Sequence, residues 1–228
     1  RMDEHDENAA PSGGYAAVNL LVENNESDAE DYGSIIDAFN QDRKSIDRHV
    51  TQEAHEIIER DPELRNRKST VIYNPKWMKG IVGIVASRLI ETYFRPTVVL
   101  TQSNGFATGS ARSVPGFDLY QAVESCADLL ENFGGHMYAA GLTMRPERVE
   151  EFTQRFNAYV ERNIDPQMLI PQVDVDAELL FSEITPAFRR ELKRFEPFGP
   201  GNAAPIFATR GVSNRGDAQL VGAECEHL

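Results

Sequence analysis

The first apolar patch, Tyr15 to Val22, lies within a stretch (1–33) otherwise rich in Asp, Glu, Asn, Gly and Ser, and it predicts a short helix. From Ser34 the apolar residues Ile36, Phe39, Ile46, Val50, Ala54 and Ile57 recur at helical spacings. Asp37, Arg43, Asp47, Glu53 and Glu56 alternate with them on what reads as the other face. One long amphipathic helix is expected, stopped after Arg60 by Asp61-Pro62. A one-sided stripe of this length suits a connector packed against, or spanning between, two domains. Strands and helices then alternate. Strands are expected at Thr70–Tyr73, Pro96–Leu100, Phe106–Arg112 and Ala139–Met144, with a turn at Ser103-Asn104-Gly105. Helices are expected at Lys79–Phe94, at Asp118–Asn132 ending by Gly134, and at Arg148–Asn163 closed by Asp165-Pro166. This alternation argues an α/β domain of ~100 residues. The texture changes again after it. Gln172–Leu180 reads as a strand and Pro186–Phe195 as a short helix; turn-dense residues to Asn202 and β-like pieces at Ile206-Phe207 and Gln219–Val221 follow. These are too few strands to close a barrel, so a truncated β-rich unit is expected. The organisation is then 1–64 connector, 65–164 α/β domain and 165–228 partial β-rich domain.

Composition narrows the class. At 41% hydrophobic and 26% charged, the chain reads as an ordinary soluble globular protein. No run approaches the ~20 apolar residues of a membrane-spanning helix, which argues against a membrane role. Cys126 and Cys225 make no close-spaced pair, so neither a disulfide framework nor a zinc knuckle is expected, and a cytoplasmic setting is the simplest reading. The start carries no secretory pattern. A net charge of −13 argues at first sight against nucleic acid. Its distribution reverses that inference: residues 64–145 hold 9 bases against 5 acids, whereas both flanks are acidic.

Three glycine-bearing segments sit in this basic third. The first runs from Trp77 to Arg88 and places Gly80 and Gly83 at a helix amino end, where free N–H groups and the helix dipole attract anions. Tight helix–sheet packing is the competing explanation of those glycines. The second is Gly109-Ser-Ala-Arg-Ser-Val-Pro-Gly116; strand alternation points Ser110 and Arg112 to one face and Ala111 to the other. A hydroxyl beside a planar guanidinium suits a phosphate, although an exposed strand with a surface Arg would look the same. The third is Phe133-Gly-Gly-His-Met-Tyr-Ala-Ala-Gly141. There Gly134 and Gly135 let backbone crowd a ligand, and His136 can donate to a phosphate or shuttle a proton. A structural histidine is the alternative.

Other candidates are weaker. Carboxylates surround His5 in the acidic turn Asp3–Glu7, but metal ligands need a rigid frame. His49 and His55 lie on the polar side of the long helix without an HExxH spacing. Tyr73, Trp77, Tyr93 and Phe94 could stack bases, but most of them are expected in the core. No P-loop is present.

Taken in order, these segments resemble the DHH-associated domain of the RecJ branch of DHH phosphoesterases. The matching patterns are Trp-x-x-Gly-x-x-Gly-Ile-Val-Ala-Ser-Arg at 77–88, Gly-Ser-x-Arg-Ser-x-Pro-Gly-Phe at 109–117 and Phe-Gly-Gly-His-x-x-Ala-Ala-Gly at 133–141. Phe198-Gly-Pro-Gly-Asn202 resembles the opening of the OB-like domain of that branch, and Arg1-Met2 with the long helix resembles the exit of the DHH domain and its connector. The resemblance covers ~150 residues. It implies an α/β, mixed-sheet DHH-associated domain and, for the full-length protein, a 5′-to-3′ exonuclease on single-stranded DNA using two Mn²⁺ or Mg²⁺ ions. The family's metal motifs match no residue here, so this stretch is expected to bind no metal and to be inactive alone. By the resemblance, Ser110 and Arg112 hold a phosphate near the 5′ end, and Gly134, Gly135 and His136 close over the reacting phosphate. A helicase or a single-strand-binding protein is a candidate partner. Met78 departs from the pattern, since many relatives carry His there. A non-catalytic DNA-binding scaffold, and a DHH enzyme acting on oligoribonucleotides or cyclic dinucleotides, are the alternatives.

Overall fold

The computed structural model describes residues 13–213 and Gly216; the Asp3–Glu7 turn, Cys225 and the strand expected at Gln219–Val221 lie outside them. Contacts divide the chain into two units, 1–171 and 172–228. No helix among the described residues is long and apolar enough to cross a membrane.

In the first unit, α1 (Gly13–Val22) packs on the 35-residue α2 (Glu26–Arg60). The long helix begins eight residues before the expected Ser34. Asn25 caps it, its side chain accepting from Ser27 N at 3.0 Å, and Glu26 and Asp28 complement the helix dipole in the first turn. It ends at Arg60, where the Asp61 carboxylate caps the short α3 (Pro62–Asn66). The strands β1 (Thr70–Tyr73), β2 (Thr97–Ser103), β3 (Phe106–Arg112), β4 (Leu130–His136) and β5 (Ala139–Met144) form one mixed sheet in the order β1-β2-β3-β5-β4. Only β1 and β2 are parallel, joined by a crossover through α4 (Val82–Tyr93).

Alternation along the strands gives the sheet two different faces. On one, Val98, Leu100, Ala107, Ala111, Ala140, Leu142 and Met144 pack with α5 (Leu119–Glu124) and α6 (Val149–Asn163). On the other, Ile72 and Val99 pack under α4, which is itself covered by Val50, Ala54 and Ile58 of α2. That second layer stops at α4. The face of β3, β5 and β4 beyond it carries Thr108, Ser110 and Arg112, then Thr143, Gly141 and Ala139, then Asn132, Gly134 and His136.

The structure corrects three expectations. The helix expected across Asp118–Asn132 breaks after Glu124; a 3₁₀ turn at Ala127–Leu129 leads into β4. Gly134 and Gly135 have poor helix propensity, and β5, reached through the two-residue turn Met137-Tyr138, satisfies the backbone as a hairpin. Asp47 and Glu53 do not lie on a solvated face. Asp47 is buried, accepting from Arg88 Nη2 at 2.6 Å, and Glu53 accepts from Trp77 Nε1 at 2.8 Å. The inner edge of the stripe therefore includes Ile58, fully buried, while Phe39 is exposed. In the second unit the strand expected over Gln172–Leu180 shortens to β6 (Ala177–Glu178), parallel to β7 (Phe207–Ala208). Helix α7 (Pro186–Lys193) follows β6, capped by Thr185, and Phe188 meets Phe207 edge-on. The Asn202 amide ties the turn-dense loop, donating to Phe195 O and Pro197 O.

Arg88, in the first glycine-bearing segment, thus docks the long helix. Removing it strands a buried carboxylate, whereas removing Asp47 frees a guanidinium whose side chain is already 43% exposed. Arg88→Ala is therefore expected to destabilise by about 2–3 kcal/mol, and Asp47→Asn by only about 1 kcal/mol. Urea unfolding measures both, and equal losses would contradict this asymmetry.

Candidate nucleic-acid interface

The three glycine-bearing segments converge on the uncovered half of the sheet. The loop before α4 is pinned there by Thr101 Oγ1, which donates to Trp77 O at 2.5 Å. No side chain caps the amino end of α4, so its positive dipole end is left unmasked by any side chain. A Cβ on Gly83 would lie 3.0 Å from Arg112 Nη2 and 3.4 Å from Ser110 Oγ. This glycine makes room for the guanidinium, while a Cβ on Gly80 would meet nothing.

Arg112 is held rather than waving in solvent. Its Nη1 donates to Ser110 Oγ at 2.6 Å and to Ala111 O at 2.9 Å. It has no carboxylate partner among the described residues, so none of those neutralises its charge. Ser110 pairs across the sheet with Gly141 and then Gly134; Arg112 pairs with Ala139 and then His136. Register partners share a face, so Ser110, Arg112 and His136 look the same way. Arg112 and His136 stand two strands apart, ~10 Å between backbones. His136 is exposed; its Nδ1 accepts from Tyr138 N at 3.3 Å, and its ring meets that of Tyr138 edge-on. The hairpin tip is fastened to the second segment by Ser113 N donating to Tyr138 O, and to the start of α5 by Leu119 N donating to Met137 O, each at 3.0 Å.

The glycines divide by what surrounds them. A Cβ on Gly109 would fall 2.0 Å from Val99 O, and one on Gly135, at φ +154°, would fall 2.2 Å from Ala139 O. Those two serve the sheet. A Cβ on Gly134 would meet nothing within 4 Å, so its bareness leaves depth instead. A cleft of about 360 Å³ opens there, lined by Lys79, Thr108, Asn132, Gly134 and Thr143 among others. Lys79 and Asn132 sit inside or beside segments that the sequence singled out, but nothing in the spacing marked them.

The weaker candidates separate cleanly. Trp77 is buried, and Tyr73 and Phe94 pack against the core. Tyr93 is pushed up to about 12 by burial and by donating to Glu59, with His55 Nδ1 3.1 Å from its hydroxyl. None of these offers a free ring to a base, whereas Tyr138, 48% exposed beside His136, does. Met78, at the departure from the family pattern, is exposed. Cys126 is buried in the core, which raises its thiol pKa. Among the described residues no group of three or more His, Cys, Asp or Glu is placed to hold a metal ion.

Family comparison places these features together. Residues 66–162 match the DHHA1 domain and 175–228 match the RecJ OB domain. The chain is 33% identical over 215 residues to the single-stranded-DNA-specific exonuclease RecJ of Bacillus subtilis, covering 93% of this chain. This is a RecJ-like chain. The RecJ-like fold also matches solved structures of Thermus thermophilus RecJ in complex with Mn²⁺ and with Mg²⁺, at TM-scores of 0.75 and 0.74 and 30% identity, covering 86% and 85% of this chain. It spans 27% of the Bacillus protein's length and 28% and 29% of those solved chains.

Proposed function

We propose that the open face of this RecJ-like sheet binds the sugar–phosphate backbone of single-stranded DNA, as the substrate-handling portion of a metal-dependent 5′-to-3′ exonuclease acting in DNA repair and recombination in the cytoplasm. The single observation that supports it most is the Arg112 guanidinium, unpaired with any carboxylate among the described residues. It is fixed by Ser110 and set against the uncapped end of α4, beside a strand face left bare at Gly141 and Gly134. In this reading, residues 1–64 form the connector, 65–164 bind substrate and 165–228 are OB-like; Met168 and Leu169 nevertheless belong to the first unit, whose core they pack against. Ser110 and Arg112 take the 5′-terminal phosphate, and His136 with Gly134 approaches the reacting one, while Gly135, on the opposite face, serves the sheet instead. A helicase or single-strand-binding protein is the proposed partner.

The solved relatives carry Mn²⁺ or Mg²⁺, and these ions supply Lewis-acid chemistry to phosphodiester hydrolysis. The described residues do not fit such a site, so no step is assigned to a metal held by them. The chain alone is therefore expected to bind without cutting. With a 3′-fluorescent, 5′-phosphorylated thymidine oligonucleotide, anisotropy should report weak binding that falls steeply with salt, at a slope of about −0.7 per contacted phosphate. The same strand should stay intact in millimolar Mn²⁺. Salt-independent binding, or mononucleotide release by the purified chain, would overturn the reading.

A further inference from the structure

We propose that the cleft bounded by Lys79, Thr108, Asn132 and Thr143 is a second nucleotide subsite, holding an internal phosphate and its sugar one step or more inward from the end held by Arg112. The proposal rests on the single-strand reading of the face and adds residues that reading does not use. Thr108 lies four residues from Arg112 along β3, ~13 Å at strand rise. Its cross-strand partners on the same face are Thr143 and then Asn132. Between this row and the Arg112 row lie Ser110, Gly141 and Gly134. A Cβ on Gly134 would touch nothing, and one on Gly141 would reach its nearest atom only at 4.0 Å. Packing requires neither glycine. What they provide is a continuous low floor connecting the two polar rows.

The groups around the cleft define its ligand. Lys79 is exposed and has no carboxylate partner among the described residues; Asn132 is exposed, and its amide makes no hydrogen bond there. The Thr108 and Thr143 hydroxyls stand 3.2 Å apart; Thr108, which is buried, also donates to Leu142 O at 3.4 Å, so it is the Thr143 proton that remains for a ligand. Each carries one proton and two lone pairs, so the pair keeps capacity to spare. The adjacent carboxylate, Glu131, is turned to Arg145 at 2.9 Å. A free ammonium, a free amide and a hydroxyl pair above bare backbone match a phosphodiester with its sugar. They match neither an apolar ligand nor a cation.

The test uses the whole 228-residue chain and compares a 5′-phosphorylated thymidine mononucleotide with the 5′-phosphorylated tetranucleotide, by calorimetry at low salt. Lys79→Gln and Asn132→Ala should each weaken the tetranucleotide about fivefold, the worth of one surface polar contact, and leave the mononucleotide unchanged. Lys79→Gln should also reduce the salt slope by about 0.7, whereas Lys79→Arg should restore it. Gly134→Val, filling the floor where there is room, should block the tetranucleotide without altering the circular dichroism spectrum. Arg112→Ala is the control and should weaken both ligands. If it does while neither Lys79→Gln nor Asn132→Ala distinguishes the two lengths, the second subsite is overturned and the end site stands. If Arg112→Ala changes neither ligand, the underlying reading of the face fails.

Discussion

Arg112→Ala is expected to weaken binding of a 5′-phosphorylated single strand roughly ten- to a hundred-fold, and to leave a 5′-hydroxyl strand little changed. A charge-assisted contact is worth about 1.5–3 kcal/mol, which sets that range. The geometry makes the loss specific to the end group. Ser110 Oγ and Ala111 O occupy Nη1, so the guanidinium is oriented before any ligand arrives, and Nη2 lies toward Gly83 at the amino end of α4. Arg112→Lys should recover only part of the affinity, because an ammonium keeps the charge but lacks the flat two-pronged donor face. Ser110→Ala should produce a smaller loss by releasing the guanidinium from its set orientation. Fluorescence anisotropy with the two strand types, alongside a thermal melt, makes the comparison. Equal losses for both ends in a folded Arg112→Ala protein would sink the end-recognition role.

Gly135→Ala is expected to cost about 2–4 kcal/mol of stability and to dislodge the hairpin that carries His136. The new Cβ would lie 2.2 Å from Ala139 O and 2.5 Å from Ala140 Cα, and the backbone already sits at φ +154°, where side chains are strained. The atoms in the way are backbone of the partner strand, so nothing flexible can yield. Gly134→Ala, one residue earlier, has open space and ordinary backbone, and should change stability by less than about 0.5 kcal/mol. Urea unfolding of the two variants distinguishes a glycine the sheet needs from one it does not. Similar midpoints would show that the close approach of β4 to β5 relaxes without penalty.

These two glycines are neighbours in an unbroken motif, and that is where the limits of sequence reading appear. The bounds of β1, β3 and β5, the end of α2 at Arg60 and the start of α6 within a residue of Arg148 were all legible, because period, turn residues and prolines act locally. The alternation that places Ser110 and Arg112 on one face is equally local. Membership of the RecJ-like family was legible for a similar reason: ordered glycine-bearing segments survive as strings of residues. Other features depend on contacts distant in the chain. Asp47 looks solvated until Arg88, 41 residues later, is folded against it. Leu130 to Asn132 reads as the tail of a helix until β5 supplies the hydrogen bonds of β4. Gln172–Leu180 reads as a strand, yet only Ala177–Glu178 pair, because that is as far as β7 runs alongside. The site follows the same rule. Periodicity assigns a side chain to a face, but not what covers that face. The parallel crossover through α4 is what brings Gly83 to Arg112, and the end of the helical layer at β3 is what leaves Lys79, Asn132 and the threonine pair facing an open cleft.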